Sequence, residues 1–239
     1  TSDSVSLVLN PLDQNNTQSS RAVDGWQINI SADNREFSDL YNLIGRRSEA
    51  SEQLDQLDNP EPPKLEQYIS LAMDREEWGI ELPLTSDIRS MDKINGQWDM
   101  YLDTRGINGS ISLKATLKGD FPLDASAKLF DPIERKSYDL LDDLDIVITR
   151  VNDHYDYPLS VLVGSLDYVL AKTDELISQF PESFSLGQNY PNPFNPVTNI
   201  PLTIAVPSYL QISIYDLLGE KVSVLESRWF DMGQFHVQW

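Results

Sequence analysis

The chain has 239 residues, with 38 acidic against 18 basic side chains, a formal net charge of −20, no cysteine and two histidines, His154 and His236. This excludes disulfide frameworks, thiolate zinc sites and cysteine nucleophiles, and it argues against a histidine-rich metal or haem centre. The negative field repels phosphate backbones and anionic lipid heads, so nucleic acid is not an expected partner.

A hydrophobic share of 40 % and a charged share of 23 % suit a folded chain better than a disordered acidic tail. No run of about 18 apolar residues occurs, so no transmembrane segment is expected. With neither an initiator Met nor a basic-plus-apolar leader, the sequence reads as a processed chain or a piece of a longer one. Charge and proline content shift at Phe180-Pro181. Residues 1–180 hold 33 acids and 16 bases, while residues 181–239 hold 5 acids, 2 bases and 6 of the 14 prolines. The shift predicts two domains, 1–180 and 181–239.

In chain order, alternation of apolar and polar residues predicts strands at Val5–Leu9, Trp26–Ile30, Tyr68–Met73, Trp98–Leu102, Ile111–Leu117, Ala127–Phe130, Asp145–Thr149 and Leu159–Val163. Short strands between Gly, Pro, Asn and Asp turns predict an all-β fold with a β-sandwich as the first domain. Phe37, Leu40 and Ile44, followed by Gly45, have the spacing of a short helix with a glycine stop. Glu49–Lys64, with Pro60, Pro62 and Pro63, predicts an extended surface loop. Leu166–Ile177 has helical spacing but abuts the domain boundary, and its pattern fits a helix or an extended linker alike. Parity places Trp26, Ile28, Ile30, Trp98, Ile111, Leu113, Leu117, Ile146 and Ile148 in the first core.

Few residues in this part suggest chemistry. Asp139, Asp142, Asp143 and Asp145 offer oxygen donors for Ca²⁺ but lack EF-hand spacing, and a solvated turn is the better reading. His154 sits in a polar turn before Pro158 and reads as exposed. No nucleophile elbow, phosphate loop or His-Glu-x-x-His motif is present. The expectation is therefore no catalytic residue, no metal, no cofactor and no enzyme, although carboxylate pairs for glycoside hydrolysis abound in any acidic chain. Trp26 and Trp98 read as core anchors rather than a sugar-stacking platform, and Trp78 is the tryptophan to test for exposure.

The informative segment runs from Phe184 to Thr198. Pro191, Pro193 and Pro196 are expected to hold it extended, with Asn189, Asn192 and Asn195 bonding local backbone, and Tyr190 and Phe194 free to anchor the strap on a core. Strand-like stretches follow at Ile200–Ile204, Leu210–Tyr215, Lys221–Leu225 and Phe235–Trp239, with Gly219 in a turn where φ is positive. Leu210, Ile212, Ile214 and Val222 are expected to share one core.

Three patterns occur in order: Leu-x-Gln-Asn-Tyr-Pro-Asn-Pro-Phe-Asn-Pro-x-Thr from Leu186 to Thr198, Ile-Tyr-Asp-x-x-Gly-x-x-Val from Ile214 to Val222, and Gly-x-x-x-Val-x-Trp from Gly233 to Trp239. Together they resemble the type A C-terminal sorting domain of the type IX secretion system of Bacteroidetes-like bacteria, over about a quarter of the chain. The resemblance implies a small Ig-like β-sandwich that acts as an export and attachment address. It implies as its working residues Leu186, Gln188, Asn189, Tyr190, Pro191, Asn192, Pro193, Phe194, Asn195, Pro196, Thr198, Tyr215, Asp216, Gly219 and Trp239. Members of that family continue past the Trp with a final strand, so it also implies that the last strands are missing here.

More loosely, Gly25-Trp26, the Asp39–Gly45 stretch, Asp58–Pro63 and Asp87-Ile88-Arg89 resemble a β-rich domain that often precedes this signal. The expected protein is a non-catalytic surface module, secreted or on the cell surface and associated with the outer membrane. Its expected partners are the type IX machinery and other surface subunits or polysaccharide. The alternative is a carbohydrate-binding module of a larger polysaccharide-degrading enzyme, and exposed tryptophans would favour it.

Overall fold

The computed structural model describes residues 24–75, 78–79, 82–142, 146–150 and 156–239. The expected strand at Val5–Leu9 and the residues Asp143, Asp145 and His154 lie outside them. The described part is all-β apart from one helix. Two five-stranded sheets come first, built from β1 (Trp26–Asp33), β2 (Ser38–Arg47), β3 (Tyr68–Ala72), β4 (Ser86–Ser90), β5 (Gly96–Arg105), β6 (Gly109–Gly119), β7 (Ala125–Asp131), β8 (Lys136–Asp139), β9 (Ile146–Arg150) and β10 (Tyr157–Ser165). Their orders are β4-β2-β1-β6-β9 and β3-β5-β10-β7-β8, with only β2 and β4 parallel among these pairs.

The inner faces share one core, as the period-two alternation requires. Trp26, Ile28, Ile30, Ile111, Leu113, Ile146 and Ile148 come from the first sheet, and Trp98, Met100, Leu102, Leu129, Leu159, Val161 and Val163 from the second. Trp26 meets Trp98 edge-on at 6.0 Å between ring centroids. Leu117 departs from the expected core, being 36 % exposed. Along the inward parity of β6, burial is complete at Ile111 and Leu113, partial at Ala115 and slight at Leu117, so the strand outruns the cover above it.

The helix expected around Phe37–Ile44 is instead strand β2, paired antiparallel with β1 from Trp26↔Arg46 to Asp33↔Ser38. Its buried set is Asn42, Ile44, Gly45 and Arg46, while Leu40 and Tyr41 face out. Asn42 is tolerated inside because its amide donates to the Ile30 carbonyl at 3.1 Å. Gly45 stops no helix: a Cβ there would overlap the Trp26 carbonyl oxygen, so the close approach of β1 excludes any side chain.

The expected loop over Glu49–Lys64 is irregular and mostly exposed, but it is pinned at Asp58. That buried carboxylate accepts from Ile88 N at 2.9 Å and Asp55 N at 3.0 Å, and burial raises its pKa. Asp39 accepts from Leu71 N at 2.7 Å, tying the two sheets together. Arg89 pairs with Asp87 at 2.8 Å and lies 4.2 Å over the Trp98 ring, whose indole N–H donates to Asp87 O. The charged residues of the looser resemblance are thus internal ties of the sandwich.

Leu166–Gln179 is a helix, α1, resolving the open reading of that segment. Ser165 caps it by accepting from Tyr168 N, and Asp167 sits favourably in its first turn. Val169 and Leu176, two turns apart, pack on the outer face of β10 and β7 against Leu162 and Phe130. This explains the continuous apolar run of β10, which is covered on both faces. The last turn of α1 has no basic residue of its own; Arg135 reaches across to donate to Phe180 O at 3.0 Å and Ile177 O at 3.2 Å.

After Pro181 come β11 (Ser185–Leu186), β12 (Asn199–Ile204), β13 (Ser208–Tyr215), β14 (Lys221–Phe230) and β15 (Gly233–Gln238). They form a three-stranded sheet, β11-β12-β15, over a two-stranded β13-β14 hairpin. Leu202, Ile204, Phe230 and Val237 make a separate small core, with Leu210, Ile212, Leu225 and Phe235 packed around it.

Candidate functional site

The proline-asparagine strap closes into a loop on itself. Tyr190 and Asn199 exchange both backbone hydrogen bonds at 2.9 Å, so residues 191–198 leave and return at one point. Inside that closure Thr198 is completely buried. Its hydroxyl donates to Pro191 O at 2.8 Å and accepts from the Asn189 amide at 3.0 Å. Asn192 donates in turn to Asn189 Oδ1 at 3.3 Å. Thr198 also pairs through its backbone with Trp239, at 2.8 and 2.9 Å, so the last residue of the chain is fastened to the strap.

The strap is not extended, contrary to expectation. It turns through successive bends, and the Tyr190–Pro191, Asn192–Pro193 and Asn195–Pro196 peptide bonds are cis. The asparagine–threonine bonds draw the chain back toward Tyr190, and the prolines withhold donors that would otherwise compete.

Neither aromatic of the strap enters the core. Tyr190 is 78 % exposed, and Phe194 is 38 % exposed and packs at a tilt against Trp239, 4.9 Å between centroids. The core is already filled by Leu202, Ile204, Phe230 and Val237, leaving the two rings on the surface. Val222 also misses the expected core at 59 % exposure, because the β13–β14 register shifts twice, at Ile212/Ser213 and at Ile214/Tyr215. Leu210 and Ile212 do face it.

Leu186, Gln188, Asn189, Asn192, Phe194, Thr198 and Trp239 are brought together around one hollow of about 420 Å³, with Ile200 and Ile214 as its floor. Those two floor residues escaped the sequence-based site, although strand parity pointed inward at both. Pro191, Pro193, Asn195 and Pro196 build the loop beside the hollow. Tyr215, Asp216 and Gly219 lie elsewhere, at the β13–β14 turn. There Asp216 Oδ1 accepts from Leu218 N and Glu220 N, and Gly219 adopts φ +82, a conformation that suits glycine.

Other candidates of the sequence have structural roles. Asp139 accepts from Leu141 N at 2.9 Å, an Asx turn at the end of β8. Among the described residues no three His, Asp or Glu side chains converge to hold a metal ion. Trp78 is half-buried, with the Arg75 guanidinium 4.3 Å over its ring. A groove of about 360 Å³ places Asp39 and Glu61 among Phe37, Tyr41 and Tyr68. Burial raises the Glu61 pKa, and its carboxylate accepts from Ser70 Oγ at 2.8 Å.

No curated protein and no solved structure matches the chain. Residues 188–234 match the family model of the secretion system C-terminal sorting domain, a span that holds the strap, β12, β13, β14 and the Gly219 turn. The chain therefore carries a C-terminal sorting domain that directs it, as a secreted or cell-surface protein, to the type IX secretion machinery.

Proposed function

We propose that residues 1–180 form a non-catalytic extracellular module, and that residues 181–239 deliver it through the type IX route for attachment or assembly at the outer membrane. The observation that carries this reading is the sorting-domain match over a segment with its own core and its own closed strap. The first sandwich supports a structural role, since its buried charges Asp58, Asp87, Arg46 and Arg89 are spent on internal contacts. Deleting residues 181–239 from the chain in a type IX-competent host tests it. The truncated protein should remain in the periplasm while the full chain reaches the surface; surface display of both defeats the reading.

A second reading, a polysaccharide-binding module, is favoured by one feature. The groove beside Pro62 and Pro63 is lined by Phe37, Tyr41 and Tyr68, with Tyr41 74 % exposed, a surface on which a sugar ring can stack. Depletion of the full chain by insoluble polysaccharide, lost in Tyr41→Ala, would favour this reading; no depletion by any of a panel removes it.

A further inference from the structure

Glycine follows asparagine twice in the sequence, and both times isoleucine precedes the pair: Ile94-Asn95-Gly96 and Ile107-Asn108-Gly109. Asparagine before glycine is open to a reaction within its own chain. The glycine nitrogen attacks the asparagine Cγ, the bond from Cγ to the side-chain nitrogen breaks, and ammonia leaves with the proton of the attacking nitrogen. The five-membered succinimide so formed then adds water at either carbonyl, giving aspartate or isoaspartate. Glycine favours the closure because it has no Cβ to hinder the approach. Since the two tripeptides are identical, a difference in their reactivity comes from the fold.

The fold treats them in opposite ways. Asn95 is fastened at both of its carbonyl groups. Its Oδ1 accepts from Ser165 N at 3.1 Å, and its backbone oxygen accepts from Arg46 Nη2 at 2.9 Å. Gly96 is buried at the start of β5, opposite Val163, with the Trp98 ring and the Arg46 guanidinium packed around its α-carbon. To react, Asn95 has to release Ser165 and turn toward a nitrogen in this packed strand.

Asn108 lies in the link between β5 and β6, outside either strand. It is exposed, and its side chain has no hydrogen-bond partner among the described residues. Gly109 is exposed as well, with φ +103 and open space where a Cβ would stand. The side chain is free to reach the geometry of attack, which is the condition for an intramolecular reaction to run fast.

We propose that Asn108 is a site of spontaneous deamidation and isoaspartate formation in the folded protein, with water as the co-reactant, and that the fold protects Asn95 from the same reaction. The consequence falls on the sandwich. The link carries the chain from the sheet of β5 to the sheet of β6, and Ile107, 3 % exposed, anchors it in the shared core. Isoaspartate routes the main chain through the side-chain Cβ. It therefore lengthens the backbone between that anchor and the Gly109↔Arg150 end of the β6–β9 pairing, and it adds a negative charge to a chain already at −20.

The test holds the full chain in warm, mildly alkaline buffer, once in native form and once in urea. Peptides covering the two sites are followed by mass spectrometry, with isoaspartate told from aspartate by its backbone fragmentation. In the native chain Asn108 should convert about tenfold or more faster than Asn95, a factor set by the hydrogen bonds that Asn95 has to give up. In urea, where only the matching tripeptides remain, the two rates should converge. Asn108→Gln, whose longer side chain has to close a six-membered ring, should form little product at this site in the same time. Equal rates in the native chain, faster conversion at Asn95, conversion of Asn108 in urea alone, or undiminished conversion in Asn108→Gln overturns the proposal.

Discussion

At the residue scale, Thr198 and Asp131 are the side chains whose burial has the clearest consequences. Thr198 is fully buried and holds the strap through one donated and one accepted hydrogen bond. Thr198→Val keeps the shape and strands both partners, which should cost about 1–3 kcal/mol. Urea denaturation of the full chain, followed by the exposure of Trp239, reads this directly, and an unchanged midpoint would show that the strap does not depend on the hydroxyl.

Asp131 is buried, accepts from Tyr157 at 2.8 Å and from Ile133 N and Glu134 N, and has its pKa raised, chiefly by burial. For an acid raised in the folded state, the native protein keeps its proton where the unfolded chain has released it. Its contribution to stability is therefore most favourable below the ordinary value of 3.8 and declines as pH climbs toward the raised pKa. Asp131→Asn removes that titration. The stability of wild type relative to the variant should fall as pH rises from 3.8, and a difference independent of pH would contradict this assignment.

At the scale of elements, what the sequence revealed depended on whether burial was carried by apolar residues alone. Strands β1, β5 and β6 were legible because each has one wet face and one apolar face. Strand β2 was not, since half of its buried face is Asn42 and Arg46, whose places depend on the carbonyls of Ile30, Ser90 and Asn95 from other strands and loops. Phe37, Leu40 and Ile44 then mimicked a helical stripe by coincidence of spacing. The segment of α1 stayed ambiguous because the outer face it covers, Leu162 and Phe130, belongs to distant strands. In the sorting domain the motif residues were identified, but the surface position of Tyr190 and Phe194 was not, because neighbouring strands already fill the core.

The helix also sets where the chain is open to cleavage. Ala171–Gln179 is helical and packed, so limited proteolysis should cut at Pro181–Phe184 rather than upstream, giving two protected fragments if the two-domain proposal holds. Arg135 holds the carbonyls of Ile177 and Phe180 at that exit. Arg135→Ala should expose the last turn of α1 and speed this cleavage by roughly fivefold, the effect of losing about 1 kcal/mol of C-terminal capping. Equal rates in the two proteins would show that Arg135 plays no part in closing the helix.

At the scale of the whole molecule, two strand assemblies with different chemistry share one chain. The first spends buried ion pairs and a large double-sheet core on rigidity. The second has a small core, a hollow lined by uncharged side chains and a strap whose aromatic residues remain on the surface. That division is what an address attached to a passenger requires: the passenger needs to be stable, and the address needs to be accessible. The most direct measurement of this account is transplantation. The complete C-terminal domain that begins at residue 181 is fused behind a reporter that is normally periplasmic, and the reporter is located by surface proteolysis in a type IX-competent host and in an isogenic strain lacking the machinery. The account predicts surface reporter in the first strain and periplasmic reporter in the second; a reporter confined to the periplasm in both would contradict it.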